Sequence, residues 1–221
     1  MAEMPAWSYS SLTAFETCPK RYFLTRVAKK VVEPQTEATT HGNAVHKALE
    51  HRIKNKSPLP KAMEQYEKYC AKMEAVPGQI FAEQKIALNK QFQQTGWVSK
   101  DCWVRMILDV TIDAGRKAAT FDWKTGKPKP DSKQLALCAA GVMHTRPAVD
   151  EVRTGFIWLK EDSMTKETYT REQLPEIWQE FAPRVKRLEI AYEQDKWEAK
   201  PSGLCGKWCP VGKALCSFCG Q

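Results

Sequence analysis

Residues 103–112, WVRMILDVTI, alternate with a period of two, so that Val104, Met106, Leu108, Val110 and Ile112 predict one buried face of a strand with Asp109 between them. A turn at Ala114-Gly115 follows, and Ala118 to Trp123 predicts a neighbouring antiparallel strand. Upstream, Gln79 to Leu88 alternates in the same way and predicts a third. Downstream come a loop rich in Lys and Pro (Thr125 to Asp131), a helix around Gln134 to His144, and a strand from Val152 to Leu159 carried by its β-branched and aromatic content. A three-strand meander before a helix and a further strand predicts an α/β layered core and argues against a doubly wound nucleotide-binding sheet. Neither GxGxxG nor GxxxxGK[ST] occurs, so dinucleotide and P-loop chemistry have no support.

Helical segments flank this core. Residues 8–31 read as helical, capped by Ser10 or Ser11 and broken after Cys18 by Pro19. A second helix runs from Gly42 to Ile53 with Val45, Leu49 and Ile53 on one face and His46 beside them, and a third from Lys61 to about Met73. A long helix from Arg171 to Trp197 opens on a Thr170/Gln173 capping box and contains Pro183. The expected organisation is one domain over 1–221, with a helical N-terminal part (1–75), a core (79–197) and a cysteine-rich, loop-like tail (201–221).

Hydrophobic content of 43% with 27% charged residues is that of an ordinary globular chain, and no apolar run reaches the roughly 18 residues of a membrane span. The opening MAEMPAWSYSSL lacks the basic-then-apolar pattern of a secretory signal, so the expected location is the cytoplasm of a bacterial or phage-infected cell. Lys and Arg number 34 against 26 Asp and Glu, and the net charge of +8 favours a polyanionic partner, with no membrane. Between Thr17 and Val32 there is no acid, and Lys20, Arg21, Arg26, Lys29 and Lys30 interleave with Tyr22 and Phe23. Lys20, Arg21 and Tyr22 are thus candidates to hold a phosphate backbone and stack bases; a solvated face over an apolar stripe is the equally weighted alternative.

The chemistry-bearing residues lie on the predicted meander. Asp109 on one strand and Asp122 near the end of the next can meet at one edge and share a hard divalent cation, and Lys124, two residues past Asp122, projects to the same face. Carboxylates holding a metal beside an ammonium suit phosphodiester hydrolysis. D-x-K alone is too common a tripeptide to carry that conclusion.

The wider context resembles the RecB-like branch of the PD-(D/E)XK nuclease superfamily. Ile107-Leu108-Asp109 followed by Thr120-Phe121-Asp122-Trp123-Lys124-Thr125-Gly126 is similar to its active-site strands, with Thr120 at a usually apolar position. Trp7 to Leu12 with Cys18-Pro19-Lys20-Arg21-Tyr22-Phe23 resembles its N-terminal signature. His41-Gly42-Asn43-Ala44-Val45-His46 resembles its G-x-x-x-H helix, and Gln134-Leu135-Ala136-Leu137 the start of its Q-x-x-x-Y helix. The resemblance implies a restriction-endonuclease-like core in which His46, Asp109, Asp122 and the Trp123 carbonyl hold Mg²⁺ or Mn²⁺. Lys124 would be the catalytic lysine, and Gln134 would stand beside the site touching DNA or the ligands. Glu83 is a weaker candidate for a supporting carboxylate. Cys138 occupies the family's tyrosine position, and Asp122 the acidic position that is often Glu.

Cys205, Cys209, Cys216 and Cys219 put four thiols in the tail, and in a reducing compartment such density points to a soft or borderline metal, either Zn²⁺ or an iron–sulfur cluster. Only Cys216 and Cys219 have C-x2-C spacing. In similar nucleases, the AddB subunit and the CRISPR adaptation nucleases, one N-terminal cysteine joins three C-terminal ones around a [4Fe-4S] cluster. That resemblance adds Cys18 and leaves Cys216 and Cys219 as alternatives for one ligand. Cys70, Cys102 and Cys138 read as packed residues.

The expectation is therefore a metal-dependent deoxyribonuclease acting on DNA. The resemblance suggests an exonuclease on DNA ends in recombination, repair or phage replication, working alone, as a homo-oligomer, or with a helicase or annealing protein. An endonuclease on the same fold, or a non-catalytic zinc-containing nucleic-acid-binding module, are the alternatives.

Overall fold

A computed structural model describes residues 4–220. Five strands form one mixed sheet in the order β1 (Gln79–Leu88), β2 (Val104–Ala114), β3 (Lys117–Lys124), β4 (Glu151–Trp158) and β5 (Ser163–Thr170). The first three form the antiparallel meander, β3 and β4 are parallel, and β4 and β5 are antiparallel. A parallel pair requires a crossover, and α5 (Lys133–Thr145) supplies it. This is the α/β architecture expected from the sequence, with β5 added. That strand, SMTKETYT, is polar at nearly every position because it is an edge with one neighbour.

The expected single buried face of β2 is corrected by the structure. Val110 and Ile112 pack with Val45, Leu49 and Ile53 of α3 (Glu37–Asn55), on the same side as Trp123 and Ile157. Met106 instead lies against Gly141 of α5, so closely that an added Cβ would come within 2.6 Å of its sulfur. The paired strand β1 makes the same exchange: Ile80 and Ala82 join the α3 cluster, whereas Ile86 faces α5. The two exchanges occur where Glu83, with φ +50°, stands opposite Asp109. Both faces of the sheet are covered, so every even position from Val104 to Ile112 is buried although two faces share them.

On the α3 side, the helix α4 (Glu67–Glu74), preceded by a 3-10 turn at Lys61–Tyr66, contributes Tyr69, Cys70 and Met73 to the core. Arg52 joins Glu67 and Glu74, and its hydrogen bonds to these acids, first Glu67 and then Glu74, raise the guanidinium further against the opposing effect of burial. On the other side Phe92 stacks on Trp178 and His144, and Arg171 donates to the carbonyls of Met143, Arg146 and Val149 at the end of α5. The Met143 and Arg146 carbonyls, in the last turn and at the C-cap of α5, are among the acceptors that a helix terminus leaves open, and Val149 belongs to the loop beyond.

Residues Glu37–Trp178 form one compact unit, and the chain up to Thr36 together with that from Gln179 onward forms a second. In the second unit α1 (Tyr9–Thr17) is capped by Ser8 rather than by Ser10 or Ser11, in a reciprocal box with Ser11. Helix α2 (Pro19–Tyr22) restarts on Pro19 and runs into a π-turn, Phe23–Val27. Glu16 receives two hydrogen bonds from Arg184, at 2.8 and 2.7 Å, on α6 (Leu174–Gln194). The Thr170/Gln173 capping box is present at the 3-10 turn leading into α6. A four-residue helix, α7 (Leu204–Lys207), opens the cysteine tail. Among the described residues, no helix is long and apolar enough to cross a membrane.

Tyr22 is a further correction. Its ring is 4% exposed, stacks on Trp197, meets Phe15 edge-on, and its hydroxyl lies 3.3 Å from that of Tyr192. A ring so enclosed has no face left for a base. Arg21 donates to Glu33 at 2.9 Å, which Arg26 also approaches, so the acid just past the basic run answers part of its charge.

Candidate active site

The pairing of β2 with β3 runs from Ala114↔Lys117 to Val110↔Phe121 and then stops. Beyond it the strands part, and the Asp109 side chain occupies the gap: its Oδ2 accepts the backbone N–H of Trp123 at 2.8 Å. The lost ladder bond is thus replaced by a carboxylate, which explains how an acid only 8% exposed is held in place.

His46 reaches the same carboxylate from α3. The apolar stripe Val45, Leu49 and Ile53 seats that helix on the sheet, and Gly42, one turn ahead of His46, brings it close to Thr125, whose Oγ1 would lie 3.2 Å from an added Cβ. His46 Nδ1 stands 3.2 Å from Asp109 Oδ2. Burial by itself lowers the imidazole, but the hydrogen bond to Asp109, the charges of Asp109 and Asp122, and a hydrogen bond to the Trp123 backbone outweigh it and raise it above 6.5. Glu83 completes the group: one ligand atom each from His46, Glu83 and Asp109 lie within 4.8 Å of one another. Burial first, then the charge of Asp109, raises the Glu83 carboxyl. The left-handed backbone at Glu83 marks where β1 turns this side chain toward Asp109.

Asp122 and Lys124 project from β3 to the α5 side. Asp122 Oδ1 accepts from Gln134 Nε2 at 2.6 Å, and Lys124 Nζ donates to Gln134 Oε1 at 3.0 Å. The amide therefore bridges the two, oriented by a donor requirement on one side and an acceptor requirement on the other. Asp122 Oδ2 is buried 2.7 Å from Lys124 Nζ, yet forms no hydrogen bond of good geometry. Burial and the neighbouring Asp109 push its carboxyl up to about 6, against the lowering effect of Lys124. Lys124 also lies 4.7 Å from the centroid of the Phe156 ring.

The structure thus brings His46, Glu83, Asp109, the Trp123 backbone, Asp122, Lys124 and Gln134 together at one break in the sheet. Asp122 stands outside the tight group of three, turned toward Gln134 and Lys124, while Glu83 stands inside it. Cys138, at the position of the absent tyrosine, is buried, and its thiol is raised by burial and then by the Asp122 charge.

The cysteines fall into two groups. Cys70, Cys102 and Cys138 are buried singly, whereas Cys18, Cys205, Cys209, Cys216 and Cys219 line one small cavity together with Lys20 and Arg21. Backbone N–H groups of Lys200 and Ser202 point at Cys18 Sγ and Cys205 Sγ, each at 3.4 Å. Burial and the adjoining Cys209 and Cys216 thiols raise Cys219 well above an ordinary thiol. The five cysteines thus share one cavity, although among the described residues no three of their sulfurs lie within 4.8 Å of one another.

A family model of the PD-(D/E)XK nuclease superfamily matches residues 6–106 and so ends three residues before Asp109. No curated protein matches the sequence. Among solved structures, one described as a "putative exonuclease" from Eubacterium rectale aligns with 92% of this chain and 86% of its own at a TM-score of 0.54 and 14% identity, which shows a common fold. The crystal structure of SSO0001 aligns with 96% of this chain and 86% of its own at 12% identity, with a TM-score of 0.43. Over residues 6–106, somewhat less than half of its length, the chain is thus similar to the PD-(D/E)XK nuclease superfamily, and it shares its fold with the Eubacterium rectale structure.

Proposed function

We propose that the chain hydrolyses phosphodiester bonds in DNA with Mg²⁺ or Mn²⁺ held by His46, Asp109 and Asp122, with Glu83 and the Trp123 carbonyl as further oxygen donors. The observation that carries this reading is the placement of Asp109 and Asp122 on either side of the β2–β3 break, with Gln134 bridging Asp122 to Lys124. Hard oxygens with one imidazole suit these cations, and the ill-satisfied Asp122 Oδ2 is an oxygen in need of a partner. When bound, the metal supplies Lewis-acid activation of phosphate and water. Lys124 would place its ammonium against the scissile phosphate or its attacking water and answer the negative charge that develops. Gln134 positions Lys124 and Asp122 relative to each other, and the Trp123 N–H fixes Asp109.

Metal-dependent digestion by wild type, with Asp122→Ala and Lys124→Ala as controls, tests the assignment. Both variants are expected to lose cleavage and keep DNA binding. A chain that binds DNA and cleaves none under any divalent ion would instead be a non-catalytic nucleic-acid-binding module.

The finer role proposed is that of an exonuclease at DNA ends, in recombination, repair or phage replication. The fold shared with the Eubacterium rectale protein, described as a "putative exonuclease", supports it. Linear DNA should be digested and covalently closed circles spared; cutting of the circle would identify an endonuclease.

For the five thiols we propose a structural [4Fe-4S] cluster, held by Cys18, Cys205, Cys209 and one of Cys216 or Cys219. Such a centre would fasten the early and late parts of the chain within one unit. Iron and sulfide in stoichiometric amounts after anaerobic purification are expected, and zinc without sulfide would replace the cluster by a zinc site.

A further inference from the structure

Beyond the metal site, the hairpin of β1 and β2 carries a second cluster that the proposed chemistry does not use. Past the Glu83–Asp109 exchange, Ile86 and Met106 face α5, so Lys85, Arg105 and Ile107 lie on the opposite face. Lys85 stands opposite Ile107 and Arg105 opposite Ala87, which makes the two cations diagonal neighbours. The connection between the strands returns along β1 through Thr95 N–H to Ala87 O and lays Trp97 against them. Lys85 Nζ is 5.4 Å and the Arg105 guanidinium carbon 5.5 Å from the indole.

Three features make this cluster unusual for a surface. Neither Lys85 nor Arg105 has a carboxylate partner among the described residues, and Arg105 Nε is buried without a hydrogen bond. Ile107, beside them, is 44% exposed although it sits mid-strand. The cluster also adjoins the acids: Lys85 is two residues from Glu83, about 7 Å along a strand, and Arg105 four from Asp109, about 13 Å. Those are the separations of the first and second phosphates along an extended nucleic-acid strand from one held at Glu83 and Asp109.

We propose that Lys85, Trp97, Arg105 and Ile107 form a binding shelf for single-stranded DNA next to the scissile position. Lys85 and Arg105 pair with backbone phosphates, and a base lies against the half-buried ring of Trp97 and the exposed side chain of Ile107. The shelf rests on the nuclease reading for its purpose but not for its detection. Unpaired cations give charge complementarity to a polyanion, and the apolar surface between them favours a strand with open bases over a duplex, whose base faces are already stacked.

Fluorescence anisotropy of a labelled single-stranded oligonucleotide, read in chelator so that no cleavage occurs, tests it across a range of salt. Trp97→Ala should weaken binding by about tenfold at an unchanged salt slope, as expected for loss of one base contact, while Trp97→Phe restores most of it. Lys85→Ala with Arg105→Ala should flatten the slope by about 1.4, since each phosphate contact on a single strand contributes about 0.7. Circular dichroism matching wild type shows that each variant is folded. Affinity within twofold of wild type for Trp97→Ala, an unchanged slope for the double variant, or equal dependence of a blunt duplex on Trp97 would overturn the shelf. Wild type that binds in this manner yet digests nothing with Mg²⁺ or Mn²⁺ overturns the nuclease reading and leaves the shelf standing.

Discussion

Asp109 accepts the backbone N–H of Trp123 at 2.8 Å, and through that bond one carboxylate both closes a gap in the sheet and faces the candidate metal group. The two tasks separate by substitution. Asp109→Asn keeps an oxygen for the N–H and should retain most stability, whereas Asp109→Ala leaves a buried donor without a partner and should cost about 1–3 kcal/mol. Neither variant should cleave DNA. Denaturant melts beside metal-dependent digestion check both halves of this expectation.

Gln134 is expected to act through its neighbours. In Gln134→Glu the Nε2 donor is lost and a second carboxyl faces Asp122, so the Asp122 carboxyl rises further above its present value near 6. The acid limb of the rate profile should move to higher pH, with a fall in kcat of about 10- to 100-fold, the scale of a misplaced catalytic group. Gln134→Leu should lower kcat without that displacement. Rate profiles of the two variants, each against wild type, give the comparison.

Metal affinity and metal-free stability should respond to acid in opposite directions. Asp122 is raised from 3.8 to about 6 by burial and then by Asp109, so between these values it is protonated in the fold and ionised in the unfolded chain. Acidification from pH 8 through 6 should therefore stabilise the metal-free fold at this residue, relative to its value at pH 8. The same proton competes with Mn²⁺, whose apparent affinity should fall below pH 6, with protonation of His46 acting in the same direction. Calorimetric titration and metal-free melts across that range measure the two responses, and Asp122→Asn should remove this residue's share of the stability change.

His144 gives a stability term of different origin. Burial, then the charge of Arg171, lowers it from 6.5, and its Nε2 accepts from Trp178 Nε1 at 2.9 Å, which requires the neutral ring. As pH falls through 6.5 the unfolded chain gains a proton that the folded chain resists, so this contribution is full above 6.5 and declines below it. His144→Gln should flatten the pH dependence of unfolding in that range.

Arg171 should be among the more sensitive positions away from the site. Arg171→Met removes a charged donor from three carbonyls at the end of α5, and an expected loss of about 2–3 kcal/mol follows from hydrogen bonds to a charged group. Chemical denaturation measures it, with catalytic constants per folded molecule unchanged.

Gln79–Leu88 was legible in its sequence pattern, although its burial does not alternate: it is mostly part-buried up to Gln84 and buried at three successive residues, Ile86 to Leu88. The polar β5 was not, since an edge strand with few buried positions carries no such imprint. The assignment of Val104 to Ile112 to one face failed for a related reason: with helices on both sides, apolar residues satisfy either face, and the exchange at Glu83 and Asp109 changes no residue type. Asp109, Asp122 and Lys124 could be placed together because a two-residue spacing and an antiparallel turn determine which edge they share. Glu83 was underrated because its approach depends on a left-handed backbone at a non-glycine residue, which sequence periodicity does not register. Tyr22 was misjudged because an aromatic beside basic residues reads alike whether its ring stacks on a base or on Trp197.

The division of the chain into a central unit, Glu37–Trp178, and one assembled from both sides of it has a consequence for the order of folding. The central unit has all its residues once Trp178 has left the ribosome. The first helices must wait for partners such as Arg184, Tyr192 and Trp197, which are synthesised more than 150 residues after Glu16 and Phe15. During that interval Phe15 and Tyr22 have each other but not Trp197 or Tyr192, so the nascent chain carries an aromatic segment open to a chaperone until the last segment emerges.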